Sequence, residues 1–313
     1  MMKNWFPVKI TKNDRDELHV HWKCFEDQTF IHPFFDETVA CVNSYPVNSK
    51  LFKVITDKTL LNPQFFDPSL TPDVFVFHTS RCGSTALCQA FAQLDQVRVF
   101  AEYPPMDDLL RQSYSPSNGT SETLIDDLRD LVSVMGQIRS GVERHLLIKL
   151  DSWHIHFVQI LRNAFPDTPF VFLYNDPRFI KASQFKLKGM HAVPGVLEPY
   201  LFDMKEVKSD LDAYLDEVLT SYYLKILNFI KNDNQSFALN YVDGMSLILN
   251  KVTELIKLFD VLEDKNKLQN QLSKYSKNPD EIFDKNNTKS MACSDECMSA
   301  YSKLTDYVKR ELN

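Results

Sequence analysis

Apolar positions in this chain fall into short continuous runs that alternate with stretches of helical spacing, and the alternation predicts an α/β protein. Val74, Phe75, Val76 and Phe77 form a β-branched and aromatic run of the kind buried in a parallel sheet. Across a polar turn, Leu87, Ala90, Phe91 and Leu94 recur at steps of three and four, so the unit reads strand, loop, helix. Gln96 to Glu102 predicts a second strand, broken at once by Tyr103-Pro104-Pro105 before a helix beginning near Met106. Residues Glu122 to Ile138 carry Leu124, Leu128, Leu131, Val132 and Met135 at helical spacing, and His145 to Leu150 reads as a third strand. A crossover helix over Trp153 to Phe165, ended by Pro166, leads into the strand from Phe170. Further helices are expected over Leu211 to Ile230, Lys251 to Leu262 and Asp295 to Leu312, with a strand from Phe237 between the first two. Alternation around Val20 to Phe25, then turn-rich sequence to Pro72, suggests a small strand-containing N-terminal unit. The resulting organisation is an accessory region over residues 1–70, a main domain over 71–262, and over 263–313 a polar linker, flexible near Asn278 to Ser290, with a C-terminal helix.

Composition narrows the function classes. At 313 residues and 44% hydrophobic content the chain can bury a large core, and a net charge of −7 argues against a nucleic-acid partner, which needs a surplus of Lys and Arg on one face. Cys24, Cys41, Cys82, Cys88, Cys293 and Cys297 contain no C-x-x-C pair, as expected of reduced thiols in the cytoplasm. The N-terminal segment has no apolar signal core, and no run approaches the roughly 18 apolar residues of a spanning helix, so no membrane insertion is expected.

The chemistry gathers in the loop Ser80-Arg81-Cys82-Gly83-Ser84-Thr85, which supplies one glycine, three hydroxyls and an arginine at the expected N-terminus of a helix. Unpaired backbone N–H groups and the helix dipole attract phosphate at such a place. The loop departs from the G-x-x-x-x-G-K-[ST] pattern of ATP and GTP sites: His78 stands at the first glycine and Ser84 at the lysine, while Thr85 keeps the hydroxyl.

Arg81-Cys-Gly-Ser-Thr resembles the phosphosulfate loop of sulfotransferases that use 3′-phosphoadenosine-5′-phosphosulfate (PAPS). A second stretch, Phe170-Val-Phe-Leu-Tyr-Asn-Asp-Pro-Arg, resembles the family's 3′-phosphate site, with Ser183 eight residues after position 175. The family has arginine at 175; this chain has Asn175, which removes a bidentate phosphate contact and leaves Arg178 as the substitute. Tyr241 and Asp243 loosely fit the family's later Tyr-Glu-Asp-like turn. The resemblance spans roughly residues 71–262 and implies a P-loop-type parallel sheet flanked by helices, PAPS as co-substrate, no metal, and sulfuryl transfer to a hydroxyl or amine of a small-molecule, peptide or saccharide acceptor. It implies a donor site of Ser80, Arg81, Cys82, Gly83, Ser84, Thr85, Ala86, Asn175, Arg178, Ser183 and Tyr241. By similarity to protein-tyrosine sulfotransferases, Glu102 (102 − 81 = 21 residues after the loop arginine) is the implied general base, with Lys149 and Arg81 stabilising charge.

Blander readings stand beside these. Glu102 also reads as a strand-end carboxylate in water and Lys149 as a snorkelling side chain. Asn175 favours a second overall reading, a catalytically impaired member of the fold acting as a nucleotide-binding or scaffold protein. Lys181, Lys186 and Lys188 offer either positive charge for a bisphosphate or a solvated face. His19 and His21 share a strand face without a completing ligand, His154 and His156 point apart on a helix, and Cys293 and Cys297 lack further ligands, so none is read as a metal site.

Overall fold

The computed structural model describes residues 2–66, 68–115, 119–120, 123–257, 268, 274–275, 278–282 and 290–311. Its centre is a five-stranded sheet of β4 (Val74–His78), β5 (Val97–Ala101), β6 (His145–Lys149), β7 (Phe170–Tyr174) and β8 (Ser236–Asn240). The spatial order is β5-β6-β4-β7-β8 and every pairing is parallel. The chain therefore moves from β4 to one side of the sheet and, after β6, crosses to the other, which places the topological switch point beside β4.

Strand alternation divides the core. Phe75, Phe77, Phe170 and Phe172 face one way, against α3 (Pro104–Ser113), α4 (Leu124–Met135), α5 (Val158–Ala164), α7 (Leu211–Ile230) and α9 (Asp295–Glu311). Val74, Val76, Val171 and Leu173 face the other, against α2 (Ser84–Phe91) and α8 (Met245–Leu255). Before the sheet, β1 (Trp5–Lys12), β2 (Leu18–Cys24) and β3 (Val54–Asp57) make an antiparallel unit, with α1 (Phe35–Val42) between the last two. This unit packs its Phe6 and Phe25 into the same core as Phe100 and Tyr103, and Tyr103 Oη donates to the Pro7 carbonyl at 2.7 Å.

Several expected elements shift. Pro104 and Pro105 open α3 instead of breaking the chain, because first-turn residues need no N–H for the helical ladder. The helix expected over Lys251 to Leu262 starts earlier, at Met245, and ends at Leu255; positions 258–262 lie outside the described residues. The crossover begins as a 3₁₀ segment, Ser152–Phe157, before α5. In the stretch expected to be flexible, Asn278–Ile282 pairs with Lys274–Tyr275, and 283–289 lie outside the described residues. Lys181 is no part of a solvated or phosphate-facing surplus: on α6 (Pro177–Lys186) it is buried, with Nζ 2.8 Å from Asp216 and 2.9 Å from Asp212 of α7.

Candidate active site

All five parallel strands end on one edge of the sheet, and the candidate residues follow those ends. After β4 the backbone turns through Ser80 (φ +70°) and Arg81 (φ +50°) to Gly83 (φ +80°), the N-cap of α2. A side chain at 83 would collide with the Tyr241 ring, 2.8 Å from the position of a Cβ, so the glycine is needed for space as well as for conformation. The first turn of α2 has no side-chain cap and no acidic residue, leaving its N–H groups and dipole available to an anion.

Side chains from the strand ends tie the loop down. Asn175, directly after β7, is buried, and its Nδ2 donates to the Arg81 carbonyl at 2.8 Å. Gln184 of α6 donates to Ser80 Oγ at 2.8 Å and accepts from the Gly189 amide at 2.7 Å. Arg81 itself donates from Nη2 to the Leu187 carbonyl at 2.7 Å. Position 175 is thus turned onto the loop backbone, and Arg178 is turned onto Asp176, whose carboxylate accepts from Nε at 3.0 Å and 3.1 Å. Ser183 sits half-buried on α6 beside Gln184, and Tyr241 follows β8 over Gly83. Cys82 is buried beneath the loop, and burial pushes its thiol up to about 11, which removes it as a nucleophile at neutral pH.

Glu102 and Lys149 come together. Lys149 Nζ lies 2.5 Å from Glu102 Oε1 and 3.3 Å from Thr85 Oγ1 at the start of α2. The Lys149 side chain is buried and does not snorkel to water; its ammonium sits 5.1 Å from the centre of the Phe34 ring. Glu102 has a left-handed backbone (φ +52°), and its amide is fixed to the Lys149 carbonyl at 2.9 Å. Burial by itself would raise the carboxyl, but the ammonium and His78 hold it well below the usual range; burial lowers Lys149, and the Glu102 charge more than restores it. The pair is a buried ammonium and a half-buried carboxylate beside the N-terminus of α2, which suits proton acceptance from a hydroxyl and stabilisation of a departing phosphate.

Sequence reasoning placed His78 beside the loop, at its first-glycine place, and missed two contributors: Gln184 and His191 gave no signal because their contacts come from the fold of 184–192. Among the described residues two side-chain groups could also hold a metal by distance alone. Asp216 joins Cys293 and Cys297, supplying the further ligand that the sequence did not show, but its two oxygens already accept from Lys181 and the Ser294 amide. Asp107, Asp151 and His154 form the other, and there His154 uses Nε2 on Asp107 at 3.0 Å and Nδ1 on the Asp151 amide at 3.3 Å.

No family model matches the chain, and no curated protein matches it. The solved structures it resembles are sulfotransferases. A sulfotransferase domain from the curacin biosynthetic pathway superimposes with a TM-score of 0.48 at 15% identity, over 76% of this chain and 98% of that one. A sulfotransferase from Mycobacterium avium gives 0.45 at 14% identity, over 78% and 77%. A mouse sulfotransferase complexed with PAP gives 0.39 at 9% identity, over 82% and 93%. At these scores the functional reading rests on the residues of the site.

Proposed function

We propose that this protein transfers a sulfuryl group from PAPS to a hydroxyl or amine on a small-molecule, peptide or saccharide acceptor. The observation that carries the reading is the 2.5 Å Glu102–Lys149 pair set against the Ser80–Thr85 loop on one edge of the sheet. Acceptor oxygen attacks sulfur as Glu102 takes its proton, and the bond from sulfur to the bridging phosphate oxygen breaks, leaving 3′,5′-bisphosphate. The α2 terminus, Arg81 and Lys149 meet the negative charge that develops on the leaving side. Arg178, once turned from Asp176, and Ser183 are the residues for the 3′-phosphate. A cytoplasmic setting accords with cysteines that carry no C-x-x-C pairing; no helix of the described residues is long and apolar enough to cross a membrane.

The second reading, a nucleotide-binding protein without turnover, is favoured by Asn175, which ties the loop and offers no cation. Thermal unfolding separates ligand from non-ligand, since a compound bound only by the folded state raises the midpoint. The 3′,5′-bisphosphate should protect wild type and fail to protect Arg81→Ala; no protection at millimolar ligand, or better protection by ATP with Mg²⁺, rejects the PAPS assignment.

A further inference from the structure

His78, the last residue of β4, is buried under the phosphate loop, and its two ring nitrogens have different neighbours. Nδ1 lies 3.1 Å from the Ser80 backbone nitrogen and 3.3 Å from Ser152 Oγ. A backbone N–H can only donate, so Nδ1 presents a lone pair and the neutral ring carries its proton on Nε2. Nε2 is buried without a hydrogen-bond partner, and Glu102 Oε1 lies 3.4 Å from it, close enough for a small closure of the site to make the bond. Lys149 lies on the same oxygen at 2.5 Å. Among the described residues nothing donates to Oε2.

We propose that His78 is a positioning residue: held as the Nε2–H tautomer by the Ser80 amide, it directs its proton at Glu102 Oε1 and, with Lys149 on that same atom, leaves Oε2 as the oxygen that takes the acceptor's proton. This deepens the reading of Glu102 as the general base and rests on it. His78 cannot itself serve as the base, because its only lone pair is committed to the loop. The arrangement also joins donor site to base, since the Ser80 amide that fixes the tautomer belongs to the turn that would cradle the phosphosulfate. The charged and titratable groups around the pair are Lys149, Asp151, Arg81, His191 and Cys88, and burial with the Lys149 charge keeps the imidazole neutral.

The test needs neither donor nor acceptor. In protein labelled with ¹⁵N-histidine, the His78 ring, assigned by its loss in His78→Asn, should be neutral and protonated on Nε2 at neutral pH. Asparagine retains an acceptor for the Ser80 amide but is too short to reach Glu102. The ¹³C resonance of the labelled Glu102 carboxylate at neutral pH, assigned by Glu102→Gln, should therefore shift in His78→Asn. A charged ring, a proton on Nδ1, or an unmoved Glu102 resonance overturns the proposal, and the wild-type ring measurement decides even if the variant does not fold. Failure of the sulfuryl-transfer reading would show separately, as absence of protection by the bisphosphate.

Discussion

Asn175 Nδ2 donates to the carbonyl of Arg81 across 2.8 Å, which holds the loop to the end of β7, and its Oδ1 accepts from the Asp176 amide at 2.8 Å, so both ends of the amide are engaged. Asn175→Ala should destabilise the fold by about 1–3 kcal/mol, the cost of leaving a buried carbonyl unpaired. Asn175→Arg should destabilise it as well, because a guanidinium has no room at a site 5% exposed. Calorimetric unfolding of both variants checks this, and an arginine variant that binds bisphosphate more tightly with an unchanged midpoint would show that the side chain reaches ligand.

Removing the carboxylate should separate binding from turnover. Glu102→Gln is expected to retain protection by the bisphosphate while lowering sulfuryl transfer about 10²–10⁴-fold, the usual worth of a positioned base. Lys149→Met should lower turnover and shift the acid limb of the rate profile to higher pH, because Glu102 then loses the ammonium that depresses it. Rates over pH with PAPS and a supporting hydroxyl acceptor decide; full activity in Glu102→Gln would disprove the assignment.

Acid should unfold the protein partly through histidine. His156 and His191 are held down to about 3 mainly by burial, against an ordinary value near 6.5. Below 6.5 the unfolded chain binds protons that the native state refuses, so this stability is complete above that pH and is lost as pH falls toward 3. The slope is about 1.4 kcal/mol per pH unit for each such histidine. Denaturant titrations from pH 7 to 4 should show it, and His156→Phe, placed among Phe202 and Tyr222, should flatten it. A slope unchanged in that variant would exclude His156.

Thiol reactivity should follow burial. Cys82 and Cys88 are pushed up to about 11 and about 12 and are buried, whereas Cys41 is exposed. Alkylation at pH 8 followed by mass spectrometry should mark Cys41 first and these two buried thiols only as fast as the protein opens. Rapid native labelling of Cys82 would contradict the packing beneath the loop.

What the sequence disclosed was set by local pattern. Val74 to Phe77 with Leu87 and Phe91 reveal strand and helix because their spacing is decided within a few residues. Glu102 and Lys149 were legible because each closes an apolar run, and parallel strands bring such ends to one edge. The orientation of Asn175 was not legible, since it depends on where the loop carbonyl lies. Nor was the burial of Lys181, which follows from Asp212 and Asp216 of α7 facing it. The start of α8 was hidden because Gly244 precedes it with no side-chain cap.

Left-handed backbone at Ser80, Arg81 and Glu102 carries a cost of about 1–2 kcal/mol for each residue bearing a Cβ, out of roughly 5–15 kcal/mol that hold a typical fold. Glu102 adds to this an ion pair whose ammonium is fully buried, an arrangement that apolar replacements often match or exceed in stability. Glu102→Gly combined with Lys149→Met would relieve both and should melt above wild type while losing the sulfuryl transfer proposed for this site. Engineering this protein by thermostability alone would therefore dismantle its centre first, and heat tolerance and turnover would have to be screened together.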